Sequence, residues 1–299
     1  MIAALLTASA GLAGPWIVGW LTRRGSSPRL AIAAQLAGLL LAWGGVLAVV
    51  GKLVAPEEGM MRACGIMLSV ILSGESTIAT TVAAFAYLLL PGRGLGMLAR
   101  TTWAVRRAAV ALKCGGTVED RVFHVPRLST VAVTAGLLRP IIAVNAASFR
   151  ALGWEQRSVV LAHERAHARS RHALVDAVAR ILAAGLAPWP GARVALAEVH
   201  RNLEAAADDR AASAHDRKTV ALTIAEVATG ARPVVGALGA SGWPVWRVER
   251  LLRDRPTTAV RVAILLAALG VSAALVVGGQ ATLHVLAGAH FIETYCPFY

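Results

Sequence analysis

Residues His163-Glu164-Arg165-Ala166-His167 read H-E-x-x-H, inside a stretch whose apolar residues recur with helical spacing. On a helix, positions i and i+4 fall on one face, so both imidazoles can address one ion while Glu164 reaches a water bound to it. Neutral imidazole suits zinc, and a carboxylate beside a polarised water is a general base. The chemistry these types and spacing point to is attack of an activated water on a carbonyl carbon.

A hydrolytic zinc site needs a third protein ligand and an open position for water. Arg201-Asn202-Leu203-Glu204-Ala205-Ala206-Ala207-Asp208 offers one, since zincins that use glutamate supply it from a second helix, often with an acid one turn later. Glu204 is the expected ligand, and Asp208, on the same face, is expected to hydrogen-bond a ligand histidine and fix its tautomer. Alone, E-x-x-x-D would read as a solvated helix end; after an H-E-x-x-H it reads as part of a metal site. Asp209 is expected at the surface. An oxyanion stabiliser should lie nearby, and Tyr87, His172, His200 and Arg201 are the candidates. Of these, His200 sits one turn before Glu204, although a solvated surface histidine is the plainer reading.

Composition bounds the setting. The chain has 299 residues, 57% of them hydrophobic and 16% charged, with a mean hydropathy of +0.61. Its apolar runs, Ile2 to Leu21, Leu30 to Gly51, Ala63 to Leu90 and Val262 to about Leu286, are each long enough to cross a bilayer core of about 30 Å. The expectation is a mainly α membrane protein: four transmembrane helices, with an α+β zincin-like metalloprotease domain inserted between spans three and four. Residues 1–90 would hold three spans, 91–257 the zinc peptidase domain, and 258–299 the fourth span and a short tail. Met1 to Trp20 lacks a basic leading region, so it reads as a retained span rather than a signal peptide. Glu75 would fall near mid-membrane, neutral and hydrogen-bonded.

The net charge of +13 would suggest nucleic acid in another setting, but no recognition motif accompanies it. Arg23, Arg24 and Arg29 lie between spans one and two, and twenty-five basic residues lie from Arg93 to Arg261. By the positive-inside rule both termini are expected outside a cell membrane and the domain around His163 in the cytoplasm. The basic excess then reads as a topology signal plus attraction to anionic lipid. Three cysteines make no disulfide framework; Cys64 and Cys296 map to the outer side, as a pair or as two free thiols.

Within residues 91–257, Gly96 to Lys113 is a basic amphipathic stretch, either a membrane-surface helix or an ordinary one. Val122 to Val125, Thr130 to Ala135 and Ile141 to Val144 have β character, with a turn over Gly136 to Pro140, and predict a small sheet ending in a hairpin. Helical patterns follow from Trp154, over Ala173 to Trp189 (buried or skimming a membrane), over Glu198 to Ala214, and over Trp243 to Arg255.

Three stretches together carry a family resemblance: Thr134-Ala135-Gly136-Leu137-Leu138-Arg139-Pro140, then Leu161-Ala162-His163-Glu164-Arg165-Ala166-His167, then Glu204 to Asp208. The chain resembles the integral-membrane zinc metallopeptidases of the BlaR/MecR antibiotic-sensor group, and more distantly the HtpX and CAAX-protease family. The resemblance spans roughly residues 90 to 260. It implies one zinc ion on His163, His167 and Glu204, with Glu164 as base and Asp208 behind a ligand. It also implies that a protein substrate binds extended against an edge strand, Thr130, Val131, Ala132, Val133, Thr134 and Ala135. By the same resemblance the expected substrate is a transcriptional repressor. The chain departs from the group at His172, where an acid often stands, and with about a dozen residues after its last apolar run β-lactam sensing is not expected. Two other readings stay open: a membrane signalling scaffold with a stabilising metal, and a housekeeping protease that clears damaged membrane proteins.

Overall fold

The computed structural model describes residues 16, 19, 27–54, 78–119, 122–126, 128–187, 189–230 and 244–253. Two long helices, α1 (Pro28–Val54) and α2 (Ile78–Cys114), precede a four-stranded sheet of β1 (Thr117–Glu119), β2 (Val122–Val125), β3 (Ala132–Ala135) and β4 (Ile141–Asn145). The helices α3 (Ala146–Ala151), α4 (Trp154–Arg169), α5 (His172–Gly185), α6 (Pro190–Ala211), α7 (Arg217–Gly230) and α8 (Pro244–Leu252) follow.

The sheet order is β1-β2-β4-β3, with β2 and β4 parallel and the other two pairings antiparallel. The expected hairpin is therefore present as β3–β4, pairing Ala132 with Val144 and Ala135 with Ile141. β1 is an addition that the sequence pattern did not signal. The turn of the hairpin needs Gly136, whose φ of +109 belongs to glycine and whose added Cβ would stand 2.7 Å from the Arg139 carbonyl oxygen. Asn145 ends β4 and starts α3: its Oδ1 accepts from the amides of Ala147 and Ser148, and its Nδ2 donates to the Leu128 oxygen at 2.6 Å.

Helix α4 lies on this sheet, with Val160 and Leu161 packed over Val122, Val144 and Phe149. On its other side Val159 meets Ala211, Val220 and Leu251 from α6, α7 and α8. Ser170 and Arg171 turn the chain into α5, with Arg171 in the left-handed region at φ 50. This abrupt reversal folds His172 back beside the end of α4.

Among the described residues, no helix is long and apolar enough to cross a membrane. That overturns the expectation of four transmembrane helices with a domain inserted between spans three and four. One face of α1 packs on the protein itself, while Leu40 is exposed. Leu39, Ala42 and Trp43 pack against Ala183, Leu186, Ala192 and Ala195 of the α5–α6 region, and Trp43 Nε1 donates to the Leu182 oxygen at 2.9 Å. Ile32 joins Ala179, Val199 and Leu203, and Gln35 is fully buried among these helices. The third run continues from Ile78 as one helix to Cys114, exposing Arg100, Arg106 and Arg107 beside Trp103. Within the stretch Ala173 to Trp189, α5 is a helix of 14 residues from His172 to Gly185 that packs on α1 and α6 and leaves Val178 exposed. The run from Val262, Glu75, Cys64 and Cys296 lie outside the described residues, as does Ile2 to Leu21 except Trp16 and Gly19.

Gly136→Ala should lower unfolding free energy by about 1–3 kcal/mol, because the turn forces a conformation alanine resists. Gly38→Ala, in α1 with nothing within 4 Å of the new Cβ, should be neutral or raise it by about 0.4–1 kcal/mol. Urea denaturation of both variants checks the contrast.

Candidate metal centre

Helix α4 presents His163 and His167 one turn apart, with ring centroids 4.8 Å from each other and their Nε2 atoms 3.1 Å apart. Helix α6 lies across them and brings in Glu204. Its Oε2 stands 3.5 Å from His163 Nε2, and its Oε1 stands 3.4 Å from His167 Nε2. One ligand atom from each of the three residues lies within 4.8 Å of the others, and this group can hold a metal ion. The donor set fits such an ion. Glu204 Oε2 is buried yet accepts no aligned hydrogen bond, although two nitrogens lie at ion-pair distance. The Arg247 guanidinium faces this oxygen at 3.0 Å, and an ion held between Glu204 and the two histidines would be a second cation upon it.

The outer ring nitrogens are held as well. Asp208, with no exposed surface, places Oδ1 3.0 Å from His163 Nδ1, so a proton sits there and Nε2 is the nitrogen left to meet an ion once its own proton is displaced. His172 does the same for the second ligand. Its Nδ1 is 2.9 Å from His167 Nδ1, so one ring donates and the other accepts. His172, expected as an oxyanion or substrate contact, lines the same cavity as the candidate ligands and also packs behind His167. The reason is the tight turn at Arg171, which aims His172 back at α4.

Glu164 points toward β3. The Thr134 hydroxyl donates to Glu164 Oε2 at 2.6 Å, with the Glu164 main-chain oxygen at 2.9 Å as its alternative acceptor. Because the sheet order leaves β3 at its edge, the strand expected to meet substrate and the expected base are joined by one side chain. Thr130, Val131, Ala132, Val133 and Thr134 line a cavity of about 180 Å³ that also reaches the three ligand residues; Ala135 is not among its lining residues. His200 and Asp176 line it too. Asp176 pairs with His200 and with Arg180, whose Nε is 2.8 Å away, so His200 is tethered rather than solvated. Arg201 pairs instead with Glu198, and the side chain of Tyr87 lies outside what the structure describes. Asp209, expected at the surface, is only partly exposed and pairs with Arg250 at 2.5 Å.

Sequence reasoning missed Arg247. It enters from α8 with Nε 2.8 Å from Asp208 Oδ2, Nη2 2.6 Å from Asp208 Oδ1 and Nη1 3.0 Å from Glu204 Oε2. Two buried acids on one helix face are a signal that a cation must meet them, but nothing local says which one.

These contacts set the protonation of the site in the absence of an ion. Burial lowers the pKa of His163, but the Asp208 and Glu204 carboxylates outweigh that and push it up to about 10. Burial pulls His167 down to about 4 and His172 to about 3. Burial raises Glu164. Burial also opposes ionisation of Glu204 and Asp208, yet the Arg247 guanidinium overrides it, leaving Glu204 at about 2 and Asp208 well below the usual carboxylate range.

No protein-family model, curated protein or solved structure matches the chain. The family resemblance therefore rests on the motif residues themselves.

The combined contribution of His163, His167 and Glu204 to the stability of the chelator-treated protein should be greatest near pH 6.5. His163, raised from 6.5 to about 10, contributes stability that is present below pH 6.5 and lost as pH rises toward 10. His167, lowered from 6.5 to about 4, works the other way, so stability is lost as pH falls through that window. Glu204 adds a further loss between pH 4.5 and about 2. Urea midpoints across this range check the peak, and His163→Gln should flatten its alkaline side.

Proposed function

We propose that the chain is a zinc-dependent endopeptidase that cleaves a protein segment bound in extended form along β3. The observation that carries this reading is the position of Glu164. It stands between the two histidines of a metal-capable group and is hydrogen-bonded to Thr134 on an edge strand lining the same cavity. A scaffold with a stabilising metal has no use for a carboxylate so placed.

Two imidazole nitrogens and one carboxylate are the donor set of a hydrolytic zinc site, so His163, His167 and Glu204 would hold the ion. Zinc bound there supplies Lewis acidity, polarising the scissile carbonyl and lowering the pKa of a water toward about 7. Glu164 takes the proton of the attacking water and passes it to the leaving amine. Burial, which favours the protonated form of Glu164, suits it to hold that proton between the two events. Thr134 steadies one carboxylate oxygen, so the proton is accepted at the other. Asp208 and His172 keep the two ligand rings turned with Nε2 inward.

Substrate adds a strand to β3, its main chain taking the hydrogen bonds that β3 does not make to β4. This register runs a peptide past Thr134 and hence past Glu164. His200, tethered by Asp176, lines the same cavity, which supports it as a candidate to steady the oxyanion. The resemblance alone suggests a repressor as the natural target.

Metal analysis and cleavage of a fluorescent casein test the proposal together. Wild-type protein should carry about one zinc per chain, and His163→Ala or Glu204→Ala should lose it. Glu164→Gln should keep zinc and lose about 10²- to 10⁴-fold in cleavage rate. Full activity in Glu164→Gln would sink the peptidase reading.

A further inference from the structure

We propose that Arg247 is a permanent counter-ion of the metal centre, holding the ligand residues in place without an ion and lowering the affinity with which the ion then binds. The inference rests on the metal reading of His163, His167 and Glu204 and adds a residue from outside both motifs.

Four carboxylates line the cavity: Glu164, Asp176, Glu204 and Asp208. Asp176 has Arg180 as its cation. Among the described residues, Arg247 is the one lysine or arginine in the cavity lining. Glu204 and Asp208 are 9% and 0% exposed, so neither can draw on water for its charge. A bound divalent cation would balance them, but only while it is bound. An arginine stays charged at any pH the protein meets and presents a planar fork of donors.

The contacts use that fork fully. Nε and Nη2 engage both oxygens of Asp208, and Nη1 reaches Oε2 of Glu204 one helical turn earlier. Asp208 Oδ1 is shared with His163 Nδ1, so the guanidinium fixes the carboxylate that in turn fixes the ligand imidazole. The helix that delivers Arg247 is itself fastened. Arg217 of α7 donates from Nε to the Leu251 oxygen at 2.8 Å and from Nη2 to the Arg250 oxygen at 3.1 Å, while Arg250 pairs with Asp209. With Arg247 on Asp208, the acids at 208 and 209 each receive an arginine from α8.

The same arrangement sets the sign of the effect on the metal. Glu204 Oε2 lies between Arg247 and the histidine nitrogens, so a divalent ion and the guanidinium share one carboxylate and repel each other. Without an ion, Arg247 is the main compensation for the two buried acids; with one, it is a second cation in a site already balanced. Loss of Arg247 must therefore damage the ion-free state more than the loaded one. By linkage, the damage appears as tighter metal binding.

The test uses the full chain as wild type, Arg247→Gln and Arg247→Lys, each stripped with chelator and then titrated with zinc. Thermal melting is read with and without zinc, and zinc affinity is read by competition with a chromophoric chelator. For Arg247→Gln we expect a melting temperature that falls steeply without zinc and largely recovers with it. Its zinc dissociation constant should lie about 5- to 150-fold below wild type. Arg247→Lys, which keeps the charge but not the fork, should fall between the two, and it decides the matter by the same criteria if Arg247→Gln does not fold in either state. Equal losses of melting temperature with and without zinc, or zinc affinity unchanged or weaker, would overturn the counter-ion role. Wild-type protein that neither binds zinc nor is stabilised by it would instead sink the metal reading, and this proposal with it.

Discussion

Two carboxylates one turn apart on α6, Glu204 and Asp208, are buried against two histidines of α4, and the surrounding structure answers to that burial. A desolvated acid is stable only beside a positive charge or several donors. The donors come from His163 and His167 across the helix pair and from Arg247 on a third helix. That requirement draws α4, α6 and α8 to one point. Where they meet, the imidazole Nε2 atoms face the Glu204 oxygens and each other.

Around this polar centre the packing is apolar and made largely of small residues. Ala166, Ala205, Ala207 and Ala211 are buried on the facing helices and let the backbones approach closely enough for short side chains to touch. At Gly185 the approach is closer still, with the Trp43 ring against the place a Cβ would occupy. Helix α1 closes the far side of the α5–α6 pair. Part of the apolar character of its sequence, at Ile32, Leu39, Ala42 and Trp43, goes into protein contacts, because a run of leucine and alanine serves a helix interface as readily as a lipid one.

The site is also tied to the sheet. Thr134 belongs to the edge strand, yet its hydroxyl ends on the Glu164 carboxylate, so the strand and that carboxylate are coupled. His172 and Asp208 hold one ligand imidazole each by its outer nitrogen. The departure from the resembled pattern at position 172 is chemically coherent on these contacts: a second imidazole does for His167 what a carboxylate does for His163.

What the sequence by itself determined is whatever is decided within one helix or one hairpin. His163 and His167 share a face because 3.6 residues make a turn, Glu204 and Asp208 do so for the same reason, and Gly136 marks the β3–β4 reversal because its conformation excludes a side chain. Only the tertiary structure decided the rest. It placed β3 at the sheet edge, turned His172 behind His167, tethered His200 to Asp176, and chose Arg247 from thirty basic residues as the partner of two acids. It also overturned the membrane-spanning helices, since hydropathy records that a run avoids water but not what it is buried against. The division has one physical cause. Local geometry follows from backbone dihedrals fixed by neighbouring residues, whereas the partner of a buried charge is set by how separate helices pack, which no spacing along the chain encodes.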